Sequence, residues 1–140
     1  MAKKIALVSS CLLGLPTRYD GKALFHKKVL ALKEEYLLIP VCPEQLGGLS
    51  TPREPAEIRD GKVFDCNGKD VTDFFLKGAE AVIKIADLLQ PDLVIFKERS
   101  PSCGVNLIYD GSFIGKKIPV EGITTQFLRG RFPIISEEEL

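Results

Sequence analysis

The chain has 140 residues, of which 45% are hydrophobic and 27% charged, and its 19 basic residues balance its 19 acidic residues. This length predicts one domain, residues 1–140, with a core that buries roughly 70% of the surface of the unfolded chain. The zero net charge argues against nucleic acid as the partner, because such binding depends on clustered Lys and Arg.

The amino terminus has the charge of a secretory signal but not its length. The apolar run after Lys4, Ile5 to Val8, is far too short for a signal peptide. Nothing approaches the roughly 18 apolar residues of a membrane span. We therefore expect a cytoplasmic protein without a membrane partner, in which four cysteines are more typical of metal ligands or reactive thiols than of disulfides.

The first quarter of the chain predicts a strand, a helix and a second strand. Lys3 to Ser9 contains an unbroken apolar run, typical of a strand buried on both faces of a parallel sheet. Apolar residues at helical spacing predict a helix over about residues 24–35. His26 near its start is interpreted as a solvated or capping residue. Leu37 to Val41 is the second buried strand.

Two hairpins are predicted further along the chain. The first joins residues 57–59 to residues 62–64, and the second joins residues 107–109 to residues 112–114. Each has an Asp-Gly pair at its turn, which favours a tight two-residue connection. Residues 47–55, with two glycines and two prolines, are predicted to form a long loop before the first hairpin.

The remaining elements complete an alternating pattern. Asp70 is the predicted N-cap of the longest helix, whose apolar stripe extends from Val71 to Leu89. A third buried strand covers residues 92–96, a short helix residues 122–129 and a fourth strand residues 132–135. Ser136 and Glu139 have the spacing of a capping box for a last helical turn. This order predicts an α/β fold: a three-layer, open, mainly parallel sheet of the Rossmann or flavodoxin-like type with small hairpin insertions.

Three of the four cysteines follow a buried strand by a few residues. These are Cys11, Cys42 and Cys103. Because the carboxyl ends of parallel strands meet at one edge of a sheet, we expect the three to lie together where open α/β sheets bind ligands. Cys66 lies in a hairpin away from this edge and is interpreted as a small buried hydrophobic residue.

The residues themselves leave three types of site open for these cysteines. A structural zinc site prefers four ligands, but the chain has no C-x-x-C pair and only one histidine. An iron–sulfur cluster is normally bound by four thiolates, so three would leave one iron open, as in metal sites that capture a ligand. A redox dithiol would need only two of the three thiols.

Short blocks along nearly the whole chain resemble, in the same order, the signature of the bacterial thiouracil desulfidase family. The blocks are Ser9-Ser10-Cys11-Leu12-Leu13-Gly14, Arg18-Tyr19-Asp20-Gly21, Val41-Cys42-Pro43-Glu44, Pro52-Arg53, Ser100-Pro101-Ser102-Cys103-Gly104 and Gly122-Ile123-Thr124. The resemblance implies an enzyme with a [4Fe-4S] cluster on Cys11, Cys42 and Cys103. Its open iron would bind the thiocarbonyl sulfur of a small thio-compound, a thiolated nucleobase such as thiouracil, and sulfide would leave without a redox step.

Residues beside these ligands are the candidates for catalysis. The resemblance implies that Glu44 is the base that activates water and that Ser100 orients the ring or relays a proton. Ser102 is a rival for the role of Ser100. The residues expected to bind the cofactor through hydrogen bonds to cluster sulfides are Ser9, Ser10, Ser102 and Gly104. The charged residues on the same loops are interpreted either as a solvated rim or as substrate contacts: Arg18, Asp20, Arg53 and Lys97.

Two other functions stay open at this point. One is a non-catalytic iron–sulfur protein or sulfur carrier on the same three cysteines, which would not need Glu44. The other is a metal-free thiol oxidoreductase, which would need a thiol of low pKa and is disfavoured by the absence of C-x-x-C. A homodimer is one candidate assembly.

Overall fold

A computed structural model of the protein describes residues 3–140. The strands are β1 (Lys4–Ser9), β2 (Tyr36–Val41), β3 (Ala56–Arg59), β4 (Lys62–Asp65), β5 (Leu93–Phe96), β6 (Ile108–Tyr109), β7 (Lys117–Ile118) and β8 (Ile134–Ser136). The α-helices are α1 (Lys27–Ala31), α2 (Pro43–Leu46), α3 (Thr72–Leu89) and α4 (Ile123–Leu128). Short 3₁₀ turns cover Ser10–Leu12, Leu32–Glu34 and Glu137–Glu139.

In the described part of the chain, four strands form a parallel sheet in the order β2-β1-β5-β8. Leu7 of β1 lies beside Ile39 of β2 on one side and beside Val94 of β5 on the other. β8 continues the sheet in parallel beyond β5. Because all four strands run in the same direction, their carboxyl ends meet at one edge, which is the edge that the sequence assigns to the three cysteines.

Helices cover both faces of this sheet, and each face has an apolar core because successive side chains of a strand point to opposite faces. The core under α3 and α4 includes Leu7, Val82, Ala86, Val94 and Leu128. The core under α1 and the first 3₁₀ turn includes Ala6, Val8, Leu12, Val29 and Ile95. This arrangement confirms the predicted three-layer α/β fold.

The first helix is shorter than predicted. α1 begins after His26, whose Nδ1 accepts a hydrogen bond from the Val29 N–H at 3.3 Å. The residues before it instead follow the loop after β1, where the Leu24 N–H donates to the Cys11 carbonyl at 2.8 Å. The capping interpretation of His26 is confirmed, whereas the predicted helix over residues 24–35 begins too early.

The longest helix begins at Thr72, with Val71 rather than Asp70 at the N-cap position. Asp70 still satisfies a helix donor, because its Oδ1 accepts the Thr72 N–H at 2.9 Å. The helix ends at Leu89 as predicted, and Gln90 follows in the left-handed conformation.

Of the two predicted hairpins, the first is confirmed, and the second forms with a different second strand from the one predicted. β3 and β4 pair across their Asp-Gly turn. β6, however, pairs with β7 and not with residues 112–114. The cause is a tertiary contact: Glu57 of β3 accepts the backbone N–H groups of Gly111 and Phe113 at 3.0 and 3.1 Å. These bonds hold the second turn against the first hairpin. The strand that pairs with β6 therefore begins only at Lys117.

The final elements lie close to their predicted places. α4 falls within the predicted residues 122–129, β8 begins and ends slightly later than predicted, and the capping box of Ser136 and Glu139 is confirmed. No helix in residues 3–140 is both long and apolar enough to cross a membrane.

Cys66 does not have the buried position that was predicted for it. It is exposed just after β4, with its Sγ 3.1 Å from Oε2 of Glu54. The chain turns there, because Oδ1 of Asp65 accepts the N–H groups of Asn67 and Lys69. The turn leaves Cys66 outside all three apolar clusters of the described residues, including the one around the β3–β4 hairpin.

Candidate active site

Three cysteines lie together at the carboxyl edge of the parallel sheet, where they line one cavity of about 440 Å³. Cys11 follows β1, Cys42 follows β2, and Cys103 lies in the loop after β5. Cys66 does not line this cavity. The structure thus brings together the three cysteines that the strand order singles out, while their role as ligands stays a prediction.

The three thiols are shielded from water. Cys103 is 4% exposed, Cys11 is 8% exposed, and Cys42 is half-buried. Burial raises the pKa of the Cys11 thiol from 9.0 to about 11, and burial also raises the pKa values of Cys42 and Cys103. Burial therefore favours the protonated form of each thiol.

A close crossing of two helices positions the loop after β2. α2 begins directly after Cys42. A side-chain carbon added at Gly47 would lie 2.0 Å from a backbone oxygen of α3, and one added at Gly78 would lie 2.0 Å from the Pro43 carbonyl oxygen. Because only glycine fits at both positions, α2 approaches α3 at backbone distance. This contact sets the position of Cys42 and Glu44 at the cavity.

The Glu44 carboxylate has two side-chain partners from different loops. Its Oε1 accepts from Arg53 Nε at 2.9 Å, and its Oε2 accepts from Ser102 Oγ at 2.8 Å. The side chains of Arg53 and Glu44 are only 7% and 12% exposed. Arg53 also donates to the Thr17 carbonyl at 3.0 Å, so it joins the loops after β1 and β2. Arg53 is therefore not part of a solvated rim.

Two serines connect Glu44 to the loop of Cys103. Ser102 Oγ lies 3.0 Å from Ser100 Oγ. Ser100 Oγ in turn accepts the backbone N–H groups of Ser102 and Cys103 at 3.2 and 3.0 Å. Glu44, Ser102 and Ser100 therefore form a continuous chain of hydrogen bonds on the wall of the cavity.

The loop after β5 is organised around Glu98, a residue that sequence reasoning did not single out. Glu98 is 2% exposed, and its Oε1 accepts the backbone N–H groups of Val105, Asn106 and Leu107 at 2.8 to 3.1 Å. Its Oε2 accepts from the Asn106 side chain at 2.9 Å. The only signal in the sequence was an acid two positions after a buried strand, and that signal does not distinguish a structural carboxylate from a catalytic one.

The start of α4 holds the same loop from its other side. A side-chain carbon added at Gly122 would lie 2.7 Å from the Ser102 carbonyl oxygen, and the Thr124 N–H donates to that oxygen at 2.9 Å. Thr125 Oγ1 donates to the Cys103 carbonyl at 3.1 Å. The Gly-Ile-Thr block of the sequence therefore fixes the backbone of Ser102 and Cys103.

The other predicted cofactor contacts already have partners within the protein. Ser9 Oγ accepts the Lys97 N–H at 2.9 Å, and Ser10 Oγ lies 2.5 Å from Thr17 Oγ1. The Gly104 N–H donates to a carbonyl of its own loop at 2.8 Å. Ser9 and Ser10 line the cavity. Contacts of these residues with a cofactor stay predictions.

The remaining charged residues of the rim form pairs. Arg18 lies 3.1 Å from Asp20, and both side chains are about a quarter exposed, at 28% and 26%. Lys97 Nζ lies 3.4 Å from Oε2 of the buried Glu137. Arg18 and Lys97 line the cavity, whereas their acidic partners Asp20 and Glu137 do not.

A sequence model of the 2-thiouracil desulfurase family matches residues 6–139. The chain belongs to that family. The uncharacterized protein YbbK of Bacillus subtilis (strain 168) is 43% identical to this desulfurase-family chain. The alignment has 145 positions and covers 96% of each protein. The solved structure of the [4Fe-4S]-dependent thiouracil desulfidase TudS is 39% identical and matches with a TM-score of 0.86, over 99% of this chain and 93% of its own.

The three thiols of the cavity have the donor chemistry of iron–sulfur cluster ligands. Within residues 3–140, no three His, Cys, Asp or Glu side chains are placed to hold one ion. This member of the desulfurase family instead presents three free thiols around one cavity. Thiolates are the usual ligands of iron–sulfur clusters, and iron bound here would replace the thiol protons.

Proposed function

We propose that this chain is an iron–sulfur-dependent, non-redox desulfidase that removes sulfur, as sulfide, from a small thiolated nucleobase such as thiouracil. The observation that carries the proposal is the meeting of three free thiols with the Glu44–Ser102–Ser100 chain in one cavity. The cavity volume of about 440 Å³ lies within the roughly 300–1,000 Å³ typical of small-molecule sites. The name of TudS supports the same chemistry.

The overall reaction replaces a thiocarbonyl group by a carbonyl group. One water is consumed, one hydrogen sulfide is released, and no electrons are exchanged. The residues that would hold a [4Fe-4S] cluster are Cys11, Cys42 and Cys103. When bound through three thiolates, the cluster supplies an open iron, which is a Lewis acid for the thiocarbonyl sulfur.

The protein's own side chains would handle the water and its proton. Glu44 is the base for the water that attacks the thiocarbonyl carbon. Arg53 Nε, at 2.9 Å, holds one oxygen of Glu44 in place. Ser100 orients the ring or relays the proton. Residues from Ser9 to Gly115 line the cavity, so we also propose that residues 1–140 act as one domain.

The first test is the iron and acid-labile sulfide content of protein reconstituted without oxygen. We expect about four irons per chain in the wild type. Cys11→Ser, Cys42→Ser and Cys103→Ser should each lower this content, and Cys66→Ser is the matched control because Cys66 is exposed and outside the cavity. Sulfide release from thiouracil should follow the iron content across the series.

Three results would contradict the proposal in different ways. Full iron content without sulfide release from thio-compounds would favour a non-catalytic iron–sulfur protein or sulfur carrier. Sulfide release or thiol exchange by an iron-free protein would favour a thiol oxidoreductase. Loss of iron only in Cys66→Ser would mean that the cluster is bound at Cys66 and not by the three cysteines of the cavity.

A further inference from the structure

Ser102 lies at the centre of the hydrogen bonds in the cavity wall. It is 2% exposed. Its Oγ lies 2.8 Å from Glu44 Oε2, 3.0 Å from Ser100 Oγ and 3.7 Å from Cys103 Sγ. Glu44 and Ser100 are therefore connected through Ser102.

The number of hydrogens available decides the direction of these bonds. A serine hydroxyl has one hydrogen, and an ionised carboxylate only accepts. Ser102 therefore donates to Glu44. Ser100 Oγ already accepts two backbone N–H groups, from Ser102 and Cys103, so its own hydrogen points to Ser102 Oγ. The chain of donors runs from Ser100 through Ser102 to Glu44.

The far end of this chain is held by a buried cation. Arg53 Nε binds Oε1 of Glu44 at 2.9 Å, which leaves Oε2 directed toward Ser102. A hydrogen bond to an ionised acceptor is shorter and stronger than one between neutral groups. The hydroxyl of Ser102 is thus held by the carboxylate at 2.8 Å rather than by the thiol at 3.7 Å.

We propose that Ser102 is a positioning residue that couples Glu44 to Ser100, so that the base acts on the substrate through both serines. This inference rests on the proposed desulfidase function. As the water oxygen bonds to the thiocarbonyl carbon, the water replaces the Ser102 N–H, the longer of the two accepted bonds at 3.2 Å, as a donor to Ser100 Oγ. The proton of the water then passes to Ser100 Oγ, the Ser100 proton passes to Ser102 Oγ, and the Ser102 proton passes to Glu44 Oε2. Three O–H bonds break and three form, and the carboxylate becomes a carboxylic acid.

A different role for Ser102 predicts a different result. If its hydroxyl served the sulfur of Cys103, its removal would change the cluster, because hydrogen bonds to ligand sulfurs tune such centres. If it couples Glu44 to Ser100, its removal leaves the cluster unchanged and slows the chemical step. The two roles therefore separate in iron content and visible spectrum as well as in rate.

The test compares Ser102→Ala and Ser102→Thr with the wild type as anaerobically reconstituted holoprotein. For Ser102→Ala we expect kcat for sulfide release from thiouracil to fall about 10²-fold, with KM, iron content and visible spectrum unchanged. Ser102→Thr keeps the hydroxyl and should restore much of the rate. The control is Ser112→Ala, which also removes a serine–carboxylate hydrogen bond, to Asp110 at 2.5 Å, but on an exposed turn.

A double-mutant cycle makes the test independent of how Ser102→Thr packs. If Glu44, Ser102 and Ser100 act as one unit, Glu44→Gln combined with Ser102→Ala should be little slower than the slower single variant. The same holds for Ser100→Ala combined with Ser102→Ala. Independent roles would instead multiply the two rate losses.

Each contrary outcome has its own meaning. Unchanged kcat in Ser102→Ala, or rate losses that multiply, would overturn the coupling while leaving the desulfidase function intact. Loss of iron or a changed spectrum in Ser102→Ala would assign its hydroxyl to the Cys103 sulfur. Wild-type holoprotein that releases no sulfide would overturn the proposed function, and this inference with it.

Discussion

Two buried glutamates line the same cavity but lie in regions that are built differently. Glu98 accepts hydrogen bonds from backbone N–H groups and from Asn106, all within its own loop after β5. Glu44, just after β2, binds only side chains, Arg53 and Ser102, each from another segment. The first carboxylate shapes a loop. The second joins separate loops and ends a hydrogen-bond chain that reaches Ser100.

The pKa of Glu98 agrees with a structural role. Burial alone would raise the pKa of this carboxyl, but the hydrogen bonds from the backbone of Asn106, Leu107 and Val105 outweigh burial and hold it below its ordinary value of 4.5. A carboxylate held ionised by several backbone donors is a poor proton acceptor. The comparison teaches that burial beside a cavity does not by itself distinguish a structural carboxylate from a candidate base, whereas the hydrogen-bond partners of the two carboxylates differ.

The largest expected effect is on turnover, in Glu44→Gln. This change keeps the shape of the side chain and removes the proposed base, so kcat for sulfide release should fall about 10²–10⁴-fold. Iron content should stay at the wild-type level, because Glu44 is not a proposed ligand. Glu54→Gln, an exposed acid beside Arg53, is the matched control. Near wild-type turnover in Glu44→Gln would mean that Glu44, like Glu98, does not act as the base.

Next in size is the loss of stability in Glu98→Ala. The buried N–H groups that lose their acceptor cost roughly 1–3 kcal/mol each, so the free energy of unfolding should fall by at least about 3 kcal/mol. Urea unfolding followed by far-UV circular dichroism measures this loss, with the exposed Glu80→Ala in α3 as the control. A loss no larger than that of the control would mean that Glu98 does not organise its loop.

A smaller effect is expected when only the region of Glu44 is displaced. In Gly78→Ala the added carbon meets the Pro43 carbonyl at 2.0 Å, so α2 must move away from α3. Overpacking of this kind costs about 1–3 kcal/mol of stability, and kcat should fall because Glu44 moves with α2. Lys77→Ala, an exposed neighbour in α3, controls for the helix. Wild-type kcat in Gly78→Ala would show that the helix crossing does not position the base.

The smallest expected effect is a change in the free energy of unfolding at acidic pH. Because the pKa of Glu98 is lower in the folded state than its ordinary value, its ionised form stabilises the fold above about pH 4.5, and this stabilisation is lost as the pH falls through the folded-state pKa. Glu98→Gln lacks this contribution. The difference in unfolding free energy between wild type and Glu98→Gln should therefore shrink below pH 4.5. A difference that is constant with pH would contradict the depressed pKa.

The sequence predicted the scaffold better than the contacts between loops. The apolar runs identified every strand of the parallel sheet, and the first Asp-Gly hairpin formed as predicted. The second hairpin was wrong because its turn is held by Glu57, more than fifty positions away. Cys66 was wrong because the turn after β4 faces water.

At the candidate site, too, positions at strand ends were predictable and contacts between loops were not. The placement of Cys11, Cys42 and Cys103 at one edge could be predicted, since each follows a buried strand. The pairing of Arg53 with Glu44 could not, because an arginine in a loop of glycines and prolines has the same local pattern whether it is solvated or buried.

The sequence by itself determined the sheet, its parallel direction and the common edge of the three cysteines, because apolar periodicity and strand geometry are local properties of the chain. Only the tertiary structure decided that Ser102 meets Glu44 across 58 positions and that Glu98 closes its own loop. Contacts between loops depend on the path of each backbone across the edge of the sheet. That path is set here by packing, such as the glycine crossing of α2 and α3, which no local pattern contains.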